Sequence, residues 1–259
     1  MIETLIVIGG VIGAAVVGLF VFTRDVKRWS NRIYGLMTLS FVTLMVANLF
    51  TFGMLDDASV VLWCIRTVAA ATTLALTCLY CLTQVLAVES GTQHMGKKFN
   101  LAVFWVSLVI VALDFTPLVF KDVFITGDGS LFVTVAWGIA LFIVHAITLM
   151  VVTVAHLLSG LRKGTKRRRG QDVSILIGVA PALILAPITG FILPVVYGLT
   201  WFVALTPFYI VFFIVMVAYA MIRHGLFDIR LAAVRTAAYV LTLLTLAAAY
   251  IAIVYLVSS

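Results

Sequence analysis

Residues 4–22 read TLIVIGGVIGAAVVGLFVF, 19 residues without a charged side chain. As an α-helix rising about 1.5 Å per residue, the run is roughly 28 Å long, close to the thickness of a bilayer's hydrocarbon core. Its hydrophobicity is continuous, whereas a strand of a membrane barrel spans about 9–11 residues and alternates. Glu3 stands where a signal peptide carries positive charge. The run also outlasts an h-region of about 7–15 residues, so it reads as a retained first membrane helix.

Working outward, seven further apolar runs follow, at 33–54, 59–87, 100–120, 131–158, 173–196, 198–222 and 236–257. Those beginning at 59 and 131 are long enough to tilt in the membrane. The 259 residues are 64% hydrophobic and 10% charged, with a mean hydropathy of +1.24. A soluble domain carries about 25% charged residues and cannot cover so much apolar surface, so lipid is the expected solvent. The expected fold is an all-α polytopic transmembrane helix bundle: a seven-helix domain over 1–222, a short junction at 223–235 and an eighth membrane helix at 236–259.

The net charge of +7 resides in loops. Arg24, Lys27, Arg28 and Arg32 follow the first run, and Lys97 and Lys98 follow the third. Six basic residues between Arg162 and Arg169 follow the fifth, and Arg223, Arg230 and Arg235 follow the seventh. The opposite loops hold Lys121 with Asp56, Asp57, Asp122 and Asp128. The positive-inside rule then places the basic loops in the cytoplasm and the N-terminus outside a multi-pass protein of the cell membrane. This distribution explains the charge without nucleic acid. The run LRKGTKRRRG reads as a topogenic anchor, with anionic lipid head groups or a cytoplasmic partner as the other reading.

Several chemistries lack their residues. All six lysines, 27, 97, 98, 121, 163 and 166, lie in loops or at their edges, so no helix offers the amine of a retinal Schiff base. Phosphate-cradling glycine loops and zinc-type histidine spacings are missing. Cys64, Cys78 and Cys81 share one apolar segment and read as small packing residues. No cofactor or metal is expected.

Ionisable groups within a span are costly and mark candidate sites. Arg66 lies seven residues into the third run and Asp114 six residues from the end of the fourth, which puts both about 10 Å below the outer interface. There they either pair, as a packing bridge or the floor of a site, or Arg66 snorkels outward. Asn48, Trp63, Trp137 and Tyr209 fall at similar depth and are candidate walls of a ligand pocket. The competing reading of the tryptophans is an interfacial belt. Pro181, Pro187 and Pro194 interrupt the sixth run and Pro207 breaks the seventh, freeing carbonyls to line a cavity. His145, mid-way along the fifth run, reads as a packing residue that bonds a neighbouring helix, with a gate worked by its protonation as the other reading. His156 reads as facing head groups.

The seventh run ends in Tyr219-Ala-Met-Ile-Arg-His-Gly-Leu-Phe-Asp-Ile-Arg230. Arg223 ends the span and Gly225 can break the helix. Leu226 and Phe227 re-enter the interface, while Asp228 and Arg230 stay wet, making an amphipathic elbow. This junction resembles one in the N-terminal seven-helix sensor region of bacterial membrane histidine kinases. Trp29-Ser-Asn-Arg-Ile-Tyr34, and Leu62-Trp63 with Arg66, are similar to that family too. The resemblance implies a sensor of a small ligand or of membrane state, relayed through Tyr219, Arg223, Leu226, Phe227, Asp228 and Arg230 to a cytoplasmic kinase region and its response regulator, in a homodimer. The chain has no phospho-accepting dimerisation helix and no nucleotide-binding glycine segments. It is therefore expected to be the non-enzymatic membrane part of a longer kinase. A small-molecule permease, suggested by the prolines of the sixth run, is the alternative.

Overall fold

The computed structural model describes residues 2–53, 57–89, 96–125, 131–196 and 200–223. The expected eighth helix at 236–257, and Leu226, Phe227, Asp228 and Arg230 of the junction, lie outside these residues. Seven α-helices are described: α1 (Ile2–Arg24), α2 (Trp29–Gly53), α3 (Ala58–Glu89), α4 (Lys97–Asp114), α5 (Gly138–Lys163), α6 (Lys166–Pro187) and α7 (Thr206–Met221). The helices α1, α2, α3, α5 and α6 are long and apolar enough to cross a membrane, while α7 is a shorter apolar helix. The principal core joins α1, α2, α3, α6 and α7 around Tyr34, Met37, Leu82, Phe213 and Ile214. Apolar side chains such as Leu19 and Val144 point outward from the bundle, where lipid is the only medium in which they are not penalised.

Three boundaries differ from the sequence reading, besides those that proline sets at the end of α6 and the start of α7. The fourth apolar run does not continue as helix to residue 120, because α4 ends at Asp114. Pro117 disfavours helical backbone at Thr116, and the Thr116 hydroxyl donates to the Leu113 carbonyl at 2.7 Å, capping the chain as it leaves the helix. The chain then forms a β-hairpin, β1 (Phe120–Ile125) and β2 (Leu131–Val135), antiparallel with Asp122 opposite Thr134 and Ile125 opposite Leu131. The fifth run thus merges a strand with a helix, and the all-α bundle carries a small sheet at one end, here called the hairpin end. Phe120 and Val123 turn inward, and Phe120 packs with Val119 on Ala69 of α3 in a second small core.

The third difference is at the opposite, basic end. Helix α6 begins at Lys166, seven residues before the apolar run does. The Thr165 hydroxyl accepts from the Arg168 amide at 3.3 Å, an N-cap that starts the helix inside the basic stretch. The α5–α6 connection is therefore only Gly164–Thr165. Arg168 is turned into the protein, where its Nε lies 2.8 Å from Asp172 Oδ2, both side chains being buried. One of the six residues read as a wet anchor is thus a core cation. Gly160 of α5 makes room for the pair, since a Cβ there would collide with the Asp172 carboxylate.

Proline governs the hairpin end of the last helices. Pro187 closes α6, and the chain continues as a wider π-helical segment, Ile188–Val196. A 3₁₀ segment, Thr200–Leu205, then leads into α7, with Pro207 in its first turn, where a missing N–H costs nothing. Gly10 of α1 allows close approach here, because a Cβ would stand 2.6 Å from Pro207 Cβ.

Candidate functional site

Between the hairpin end and mid-bundle, the helices α2, α3, α5, α6 and α7 enclose a cavity of about 460 Å³. Its existence follows from the local irregularities. The π segment and the 3₁₀ turn hold the chain away from tight helix–helix packing, and the hairpin roofs the space with Phe120, Val133 and Val135. Phe142, Ile143 and Met150 of α5 face Phe41 and Leu44 of α2 and Phe213 of α7 across it. No charged side chain lines it among the described residues.

Its few polar groups are largely occupied. Thr51 and Thr72 donate to carbonyls of their own helices, Ala47 at 2.9 Å and Val68 at 2.7 Å. The Tyr209 hydroxyl lies 3.1 Å from both Thr206 Oγ1 and Thr189 Oγ1, so these three buried hydroxyls tie the π segment to the first turn of α7. Asn48 differs, because its half-buried amide makes no hydrogen bond to a described residue and opens on the cavity.

Of the pocket residues read from sequence, Asn48 and Tyr209 line this cavity; Arg66, Asp114, Trp63 and Trp137 do not. Trp63 and Trp137 are 55% and 65% exposed, positions suited to an interfacial belt. Arg66 is buried beneath the hairpin, donating from Nη2 to the Phe120 carbonyl at 2.8 Å with its guanidinium 5.4 Å from the Trp63 ring centre. Asp114 accepts from Thr73 at 3.1 Å, and its Oδ1 has no partner among the described residues. Of the two arrangements that the sequence left open for Arg66, the pair with Asp114 does not form. Asp114 terminates a shorter helix and stands level with Thr73, seven residues or about 10 Å deeper along α3 than Arg66.

Thr73 begins a polar seam between α3, α4 and α5. Thr77 Oγ1 lies 2.8 Å from Ser107 Oγ, which lies 3.0 Å from His145 Nε2. His145 therefore bonds a neighbouring helix. Two functional features escaped the sequence reading. One is the Arg168–Asp172 pair, whose i,i+4 spacing was the available signal. The other is Thr189, which is unremarkable without its tyrosine partner.

The motif residues at the basic end have defined tasks. Asn31 Nδ2 donates to the Asp25 carbonyl at 3.2 Å and Arg32 Nε to the Val26 carbonyl at 2.6 Å, fixing the α1–α2 turn. Arg32 also stacks on the exposed Trp29. Tyr34 crosses to α7, and at that helix's far end Arg223 lies over the Tyr219 ring.

Apolar helices around an apolar cavity, with α7, the last of the described helices, running from the cavity wall to the basic end, define a polytopic membrane protein with room for a small molecule. A family model described as the N-terminal 7TM region of histidine kinase matches residues 5–230. The chain belongs to this family of membrane sensor regions. Searches of curated protein sequences and of solved structures give no significant match.

Proposed function

We propose that this bundle is the ligand-sensing half of a two-component histidine kinase, oriented with its hairpin end outside and its basic end in the cytoplasm. The observation that carries the reading is the course of α7. The helix lines the cavity with Thr206, Tyr209, Ile210 and Phe213 and then runs to Arg223, where the junction begins. A ligand that binds one arrangement of α7 better than another shifts the population of the two, and the junction delivers that shift to the kinase. The kinase region, its response regulator and a second copy of the chain are the implied partners.

The test fuses residues 1–235, ending at the cytoplasmic junction, to a histidine-kinase catalytic region in lipid nanodiscs and fills the cavity by Ala146→Phe. Autophosphorylation locked at one level, with membrane insertion intact, supports a cavity-coupled sensor. Wild-type regulation in the variant overturns it. A permease reading draws on the proline-broken α6, and it requires solute uptake into proteoliposomes that Ala146→Phe blocks.

A further inference from the structure

The cavity also specifies the chemistry of what it holds, an inference that rests on the sensor reading for its biological meaning but not for its test. An ionised ligand placed among these walls would lose its hydration and meet no counter-charge from them, since no lysine, arginine, histidine, aspartate or glutamate lines the space among the described residues. The threonine and tyrosine hydroxyls are engaged with their own helices or with one another. The Asn48 amide supplies a donor and an acceptor side by side with neither used by a described residue, facing an otherwise apolar volume. Such a volume lies within the range of about 300–1,000 Å³ that accommodates small molecules.

The route of entry points the same way. The exposed wall residues are Val135 of β2, Ile147 of α5, Ala186 and Pro187 of α6, and Gly190 and Ile192 of the π segment, all uncharged and five of the six on α5, α6 or the π segment. This clustering favours entry from the side of the bundle, between α5 and the π-broken end of α6, over entry past the hairpin. We infer that the cavity binds an uncharged, lipid-soluble molecule whose single polar head, an amide, alcohol or carbonyl group, hydrogen-bonds Asn48 while its apolar body fills the space between α5 and α7.

The experiment uses the whole chain in nanodiscs and a photoreactive dodecanamide carrying a mid-chain diazirine, with cross-links located by mass spectrometry. Expected are saturable cross-links to α5 or the π segment, displaced by unlabelled dodecanamide and not by dodecanoate. Asn48→Leu should weaken half-saturation roughly tenfold, the worth of one hydrogen bond in an apolar site. Ala182→Phe, which occupies the cavity from the α6 wall, should abolish the same cross-links and serves where Asn48→Leu fails to fold. Equal displacement by dodecanoate, or labelling undiminished in Asn48→Leu, would overturn the assignment and leave an unselective acyl slot; labelling undiminished in Ala182→Phe would overturn it by placing the label outside the cavity. Specific binding combined with a fused kinase that never responds to cavity filling would instead sink the sensor reading while leaving this one standing.

Discussion

The hydroxyl of Tyr34, in the first turns of α2, donates to the backbone carbonyl of Ile214 in the middle of α7 at 2.9 Å, and the tyrosine is wholly buried. A carbonyl has two lone pairs, so Ile214 can accept this bond while remaining in its helix. The contact fixes α7 against α2 between the cavity and the junction. Polar bonds between membrane helices are worth about 0.6 kcal/mol on average. Tyr34→Phe should therefore cost about that much in thermal unfolding in detergent, whereas Tyr34→Ala, which also opens a void, should cost about 3–5 kcal/mol. An unchanged unfolding midpoint in Tyr34→Phe, with the loss confined to Tyr34→Ala, would show that packing alone matters at this position.

The buried Arg168–Asp172 pair makes a sharper prediction. Removing one partner strands the other charge, so Asp172→Ala should destabilise the bundle by about 3–5 kcal/mol. Replacing both, as Arg168→Met with Asp172→Leu, should restore much of that loss. The check is the unfolding midpoint of the three proteins, wild type included, in one detergent. A double variant no better than Asp172→Ala would mean that the bonds to surrounding groups, such as Arg168 Nη2 to the Thr83 carbonyl, dominate.

Arg66 is placed as a clamp on the hairpin. Arg66→Met keeps the apolar stem and removes the bond to Phe120, a charge-assisted bond worth about 1.5–3 kcal/mol. Amide exchange over 120–125 and 131–135 should speed up by at least tenfold, while cross-linking of the cavity persists. Unchanged exchange, together with lost cross-linking, would return Arg66 to the ligand site.

Orientation is open to chemical labelling. With Cys64, Cys78 and Cys81 replaced by serine, Asp122→Cys on the exposed strand β1 should react with an impermeant maleimide added to intact cells. Lys163→Cys at the basic end should react only after the membrane is opened. The reverse pattern would invert the proposed topology and, with it, the direction of signalling.

Much of this arrangement was readable from residues alone. Long uncharged runs are helices in lipid because no other structure satisfies the backbone there, and Pro207 marks a real helix start. Asn48 and Tyr209 stood out as polar groups at a shared depth near one end of the runs, and both line the cavity. The failures have a common cause. Counting apolar residues does not distinguish a buried strand from a helix, so β1 and β2 were absorbed into the neighbouring spans. Depth along α4 was then measured from a helix end that does not exist, which brought Asp114 level with Arg66. In the basic stretch, topogenic logic treats every arginine alike, whereas one carboxylate a helical turn away, Asp172, draws Arg168 into the interior.

Entry between α5 and the π segment, as proposed for the cavity's guest, has a consequence for what concentration would mean to this protein. A guest arriving through lipid is weighed by its mole fraction in the bilayer, not by its molarity in the surrounding water. Adding buffer leaves such a signal almost unchanged, whereas adding empty vesicles drains it. Two cells bathed in the same medium, but differing in the amount of membrane they hold, would therefore report different values.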